Sequence, residues 1–150
     1  KLREIDGLWG GELAGHYYFR DFFYSDSGLL SSMLVLRIVA SMKGKGISLG
    51  SLIDSIARYQ NSGEINFRVE DKKGAMDAVK EFFTSTEEPD SCMDFDGYRV
   101  EFPQWWFNIR PSNTEPYLRF ICEATTDELL EKKIAEAATI IEGQFGGKRA

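Results

Sequence analysis

A chain of 150 residues with 43% hydrophobic and 28% charged residues has the balance of a folded globular protein, and can bury one core or one core and part of another. Its formal net charge of −6, with no basic stripe, excludes nucleic acid as a partner, so any anionic ligand must be held by local donors against the overall field. No apolar run reaches the roughly 18 residues that cross a bilayer, and the opening KLREIDGLWGG lacks the apolar segment of a signal peptide; no membrane partner and a cytoplasmic location are expected.

The first patterned element follows Asp26-Ser27-Gly28, where either Asp26 or Ser27 can cap a helix. Leu29, Leu30, Met33, Leu34, Ile38 and Met42 recur at three- and four-residue spacing, which predicts a largely buried helix ending at KGKG. Ser48 starts a second helix with Leu49, Leu52, Ile53, Ile56 and Ala57 on one face. Gln60-Asn61-Ser62-Gly63 is the expected boundary, separating residues 1–62 from 63–150. Ile65, Phe67 and Val69 then alternate as a half-buried strand, and Asp71 caps a helix whose apolar stripe is Ala75, Met76, Val79, Phe82 and Phe83. Glu87-Glu88-Pro89-Asp90 reads as a loop.

Asp96-Gly97, between Phe95 and Tyr98, is a hairpin signal continued by Val100 and Phe102, and Trp105, Phe107 and Ile109 alternate along a further strand. After the turn RPSNTEP, Leu118, Phe120 and Cys122 mark another strand. Thr125-Thr126-Asp127-Glu128 has the spacing of a capping box; it opens a last helix with Leu130, Ile134, Ala138, Ile141 and Phe145 inward, ending at Gly146-Gly147. Residues from about 63 onward thus define an α+β fold, an antiparallel sheet with helices on one face. The first 60 residues supply two apolar helices and too few strands to cover them, so self-association of the chain is expected. Cys92 and Cys122 read as two buried free thiols, and neither has a further Cys or a His at zinc-ligand spacing.

Two segments have residue types that suit ligands. Gly10-Gly11-Glu12-Leu13-Ala14-Gly15-His16 puts one carboxylate and the chain's single histidine among glycines that allow close backbone approach. Glu12 suits a pair of sugar hydroxyls, and His16 can contact a sugar oxygen or phosphate, or move a proton near neutrality. A plain glycine turn, with a solvated Glu and a His packed on Tyr17 or Tyr18, is the alternative. In Arg110-Pro111-Ser112-Asn113-Thr114-Glu115-Pro116, Arg110 offers a planar fork matched to phosphate, Ser112 and Thr114 hydroxyls, and Asn113 an amide; successive backbone N–H groups can form an anion nest. An ordinary polar turn is the alternative there.

Together the two segments resemble the α-D-phosphohexomutases, above all the phosphomannomutase/phosphoglucomutase group. GGELAGHYYFRDF is similar to the sugar-binding loop of that family's third domain, and RPSNTEPYLRF to the phosphate-binding loop of its C-terminal domain. The resemblance runs from about residue 3 to residue 145 and implies that residues 1–62 are the helical tail of an α/β sugar-binding domain and 63–150 the phosphate-binding domain. It implies sugar contacts from Glu12, Ala14 and His16, with His16 a possible catalytic group, and a phosphate clamp of Arg110, Ser112, Asn113 and Thr114. Ala14 stands where the family usually has Ser, a lost hydroxyl contact worth about 0.5–1.5 kcal/mol; Leu13 is compatible with the mannose and glucose enzymes.

The implied reaction moves a phosphoryl group between the 1- and 6-positions of a hexose through a sugar bisphosphate, with Mg2+ in the full-length enzyme. The family's phosphoserine and its Asp-Gly-Asp-Gly-Asp-Arg magnesium motif do not occur here. The chain is therefore expected to be the C-terminal part of a longer enzyme, partnered by its upstream domains and by a phosphosugar, and inactive alone. A non-catalytic phosphosugar-binding module and a structural domain anchored by Trp105, Trp106 and Phe107 are the other readings.

Overall fold

In the computed structural model, which describes residues 1–12 and 14–150, the chain forms two units, Lys1–Ile56 and Ala57–Ala150. The first opens with three short antiparallel strands in sequence order, β1 (Trp9–Gly11), β2 (Tyr17–Phe19) and β3 (Ser25–Asp26). Helices α1 (Gly28–Lys43) and α2 (Leu49–Ile56) follow. Ser27 is the cap of α1, its Oγ accepting from the Leu30 N–H at 3.2 Å, and Ser48 Oγ accepts from the Ser51 N–H at 3.0 Å as α2 begins. The expected burial of the first helix is not found. Neither α1 nor α2 has a buried residue, and Leu29 and Met33 are 75% and 60% exposed. Three strands of two or three residues offer too small a face to cover so much apolar surface.

The second unit contains β4 (Gln60–Asn61), β5 (Ile65–Arg68), α3 (Lys72–Thr86), β6 (Ser91–Met93), β7 (Tyr98–Phe102), β8 (Trp105–Pro111), β9 (Tyr117–Ala124), α4 (Asp127–Phe145) and β10 (Lys148–Arg149). Its sheet runs β10-β5-β9-β8-β7-β6 with every neighbour antiparallel, and β4 also pairs with β9. Residues read as linker pair with the sheet: Gln60 faces Ala124 and Asn61 faces Glu123, within the compact unit Ala57–Ala150.

Alternation decides what is buried. Phe67, Val100, Phe107, Ile109, Leu118 and Phe120 point to one face and are fully covered by α3 and α4. Phe102 stacks on Trp105 with centroids 4.4 Å apart, and Phe83 meets Trp105 edge-on at 4.7 Å. Lys133 is buried in this cluster, its Nζ 4.5 Å from the Trp105 ring centre and 3.3 Å from Glu136, so its charge is compensated rather than isolated.

Three local expectations are corrected. Cys92 is exposed, because β6 is the edge strand, while Cys122 is buried and its thiol is pushed up to about 12 by desolvation. Phe82 is 37% exposed because it flanks the stripe that buries Phe83. The cap of α4 is Thr126, whose Oγ1 accepts from the Leu129 N–H; this puts Leu129, not Glu128, at the reciprocal position, so no capping box forms. Thr125 is drawn out of the helix by its N–H donating to Gln104 O.

Candidate functional site

The glycine-rich segment is the loop of the β1–β2 hairpin. The Glu12 N–H donates to His16 O at 2.9 Å and the Gly15 N–H to Glu12 O at 3.0 Å, so Glu12 and His16 face each other across the neck. Of the three glycines only Gly15 has a positive φ, +84°; Gly10 and Gly11 lie in β1 opposite Tyr18 and Tyr17. Ala14 sits exposed at the tip, and Leu13 lies outside the described residues.

The His16 ring is engaged by a carboxylate. Its Nδ1 lies 2.7 Å from Asp26 Oδ2, while Asp26 Oδ1 accepts the Tyr17 N–H at 2.9 Å. A carboxylate only accepts, so Nδ1 carries the proton and Nε2 is left for a ligand. The hydrogen bond to Asp26, and then the charge of that carboxylate, raise the His16 pKa above its ordinary value; the same bond and the Tyr17 N–H hold Asp26 below its own. Glu12 Oε1 accepts from the Tyr18 hydroxyl at 2.9 Å, which fixes the carboxylate and, among the described residues, leaves its other oxygen open. Gly10, Gly11, Glu12, Tyr18 and Tyr24 border an open hollow of about 490 Å³. Asp26 was legible in the sequence only as a possible cap; the register Tyr18↔Asp26 is what brings it beside the loop.

The second segment is the β8–β9 hairpin loop. The Ser112 N–H donates to Tyr117 O at 2.9 Å and closes the neck. Ser112 Oγ accepts from the Glu115 N–H at 3.2 Å and from the Thr114 N–H at 3.4 Å. Two amides of the expected nest are thus turned inward onto a hydroxyl that an anion oxygen can replace. Asn113 and Thr114 are exposed, and Arg110, at the end of β8, is half-buried.

Two charged residues overlooked in the sequence complete the loop's surroundings. Arg119 faces Arg110 across β8 and β9, and Glu64 Oε2 lies 3.3 Å from Arg119 Nη1 and 3.9 Å from Arg110 Nη2. Arg119 Nη2 is 2.7 Å from Glu115 Oε2 in the loop itself. The available signal was the arginine between Leu118 and Phe120, at an outward position one strand step past the loop.

Comparison with known proteins agrees with this architecture. Residues 64–140 match the family model described as phosphoglucomutase/phosphomannomutase, C-terminal domain, and residues 1–59 match phosphoglucomutase/phosphomannomutase, alpha/beta/alpha domain III. The chain belongs to the phosphoglucomutase/phosphomannomutase family. A phosphomannomutase of Methanocaldococcus jannaschii is 37% identical over 140 residues, 93% of this chain and 30% of that protein. A protein of Xanthomonas campestris pv. campestris described as phosphohexose mutases is 38% identical over 146 residues, 95% of this chain and 31% of the relative.

A crystal structure of a phosphoglucomutase/phosphomannomutase family protein from Burkholderia thailandensis superposes with a TM-score of 0.71 over 99% of this chain and 31% of its own, at 24% identity, which supports the α+β fold. The chain spans about a third of the length of the relatives it matches. Among the described residues no three His, Cys, Asp or Glu side chains gather in a metal-ligand cluster. No helix of the described residues is long and apolar enough to cross a membrane.

Proposed function

We propose that this chain supplies the sugar-reading and phosphate-holding loops of a cytoplasmic phosphohexomutase, which interconverts hexose 1-phosphate and hexose 6-phosphate through a sugar bisphosphate. The observation that carries the reading is the β8–β9 loop. Among the described residues Arg110 there has a single carboxylate approach, at 3.9 Å, beside amides held only by the Ser112 hydroxyl. A guanidinium so weakly engaged, next to N–H groups that can be released, suits a tetrahedral dianion.

In this reading Arg110, Ser112, Asn113 and Thr114 grip the phosphate that is not being transferred. A grip on phosphate alone does not discriminate which end of the sugar carries it, and this suits a substrate that must bind in two opposite orientations. Glu12 accepts hydrogen bonds from sugar hydroxyls through the oxygen that Tyr18 leaves open. His16 presents Nε2 to a hydroxyl or phosphoryl oxygen, with Asp26 stabilising the imidazolium if a proton arrives. The serine chemistry and the magnesium belong to upstream domains of the same polypeptide. An inorganic phosphate titration followed by the amide shifts of Ser112, Asn113 and Thr114 tests the reading: saturable movement is expected, and no movement refutes it.

A further inference from the structure

The connection between β2 and β3 is strained. After a single 3-10 turn, Arg20–Phe22, the chain passes through Phe23 and Tyr24, both at φ +57°, before β3 begins at Ser25. Two successive bulky residues in the left-handed region cost about 1–3 kcal/mol each and persist only where their surroundings hold them. The turn closes where the Tyr24 N–H donates to Phe19 O at 2.9 Å.

What holds the turn comes from residues 3–6. Arg3 Nη2 donates to Phe23 O at 2.9 Å, and its guanidinium lies 5.3 Å from the centre of the Tyr24 ring. The Tyr24 hydroxyl donates to Asp6 Oδ1 at 2.8 Å, and Asp6 Oδ2 is 3.6 Å from Arg20 Nη1. Residues 1–7 are themselves wound into a compact turn, with the Ile5 N–H donating to Lys1 O and the Gly7 N–H to Leu2 O. Each grip is exposed and modest alone. Together they fasten both strained residues.

The register that follows this turn governs His16. Phe19 pairs with Ser25 and Tyr18 with Asp26, and the Asp26 carboxylate then takes both the Tyr17 N–H and His16 Nδ1. A slip of one residue would turn the Asp26 side chain to the other face of the small sheet. The ionisable groups acting on His16 are Asp26, from β3, and Glu12, from across the loop neck; neither Arg3 nor Asp6 is among them.

We propose that Arg3, Asp6 and Tyr24 form a strap that holds the strained Phe23–Tyr24 turn and so fixes Asp26 against His16, a positioning device remote from the glycine-rich loop. The strap and its hold on the pair stand on this geometry; the consequence for catalysis rests on the reading that His16 Nε2 meets the substrate. Charge and position make opposite demands. By charge alone, removing the Arg3 cation favours the imidazolium, so the His16 midpoint rises. As a strap, its removal frees the turn, Asp26 withdraws, and the midpoint falls.

The test is an NMR titration of the His16 ring in the wild-type chain, in Arg3→Ala, in Tyr24→Phe, and in Arg3→Ala combined with Phe23→Gly. Both single variants are expected to bring the midpoint down toward 6.5, with the Tyr17 amide shifting as it loses the Asp26 carboxylate. Tyr24→Phe keeps the ring beside Arg3 and loses only the hydroxyl, which gives a second route should Arg3→Ala fold poorly. Glycine adopts the φ of position 23 without strain, so the combined variant has less need of the strap and should recover most of the fall. That recovery separates a freed turn from a general loss of structure, and the amides of Trp9 and Gly10 in β1 should stay in place throughout. A midpoint that rises or does not move in both single variants, or a combined variant no closer to the wild type than Arg3→Ala, overturns the strap. A wild-type His16 ring that ignores added glucose 6-phosphate counts against its place at the substrate and leaves the strap standing.

Discussion

Asp26, on the third strand of a small antiparallel sheet, holds the Nδ1 of His16 at 2.7 Å. The pair is exposed, so its effect is on proton affinity more than on stability. Because His16 is raised above 6.5, its contribution to stability is complete below that pH and is lost as pH rises through the higher folded value. Asp26 is depressed, so its share is present above its ordinary 3.8 and is lost as pH falls through the lower folded value. His16 is the chain's single histidine, so its ring resonances titrate without overlap. Asp26→Asn should bring the midpoint back down toward 6.5; an unchanged midpoint would mean that the pair does not form in solution.

Replacing Arg110 separates charge from shape. Arg110→Lys keeps a cation at the end of β8 but loses the fork, and should weaken phosphate binding nearly as much as Arg110→Ala, by about 1–2 kcal/mol. In a full-length enzyme Arg110→Ala should raise KM and slow reorientation of the bisphosphate while leaving phosphorylation of the upstream serine intact. A lysine variant that binds phosphate like the wild type would show that net charge suffices.

Gly97 supports the same residue from the neighbouring hairpin. Its φ is +72°, and a Cβ there would sit 2.5 Å from the Arg110 Cβ and clash with Ile109 O. Gly97→Ala should destabilise the second unit by about 1–3 kcal/mol and shift the Arg110 resonances. Chemical denaturation and a heteronuclear spectrum of the variant test both parts.

The apolar residues of α1 lead to a concentration-dependent expectation. Leu29, Met33, Leu36 and Ile38 are all at least 48% exposed, on a surface of a kind that rarely stays in water once it exceeds roughly several hundred Å². Sedimentation velocity across a hundredfold dilution should show association at the concentrated end, and Leu29→Lys with Met33→Lys should shift it toward monomer. A monodisperse monomer throughout would count against it.

What could be read from the sequence was local. Ser27 and Asp71 cap their helices within three residues of the groups they satisfy, and the alternation from Trp105 to Ile109 carries its own burial pattern. The glycine at 97 marks a turn by its own backbone freedom. Features that depend on register were not legible. Glu64 meets Arg119 across 55 positions and Asp26 meets His16 across 10, through strand pairings that no local window contains. Pairing of Gln60 and Asn61 with β9 likewise depends on the length of the partner strand, not on their own turn-like composition. At α4 the error was one residue, because Thr125 has a better hydrogen-bond partner in Gln104 than in the helix.

The β8–β9 hairpin joins two strands paired at seven positions, each flanked by a further strand, to a tip that starts where the Ser112 N–H meets Tyr117 O. Such a stalk is mechanically stiff and its end compliant. Amide exchange at Phe107, Ile109 and Phe120 should need global unfolding, while Asn113 and Thr114 should exchange from the native state. Stability is then invested in one set of residues and ligand choice in another. The tip can change its sequence, and with it the anion it prefers, at little cost to folding, which makes this hairpin the place where new specificity can arise on an unaltered frame.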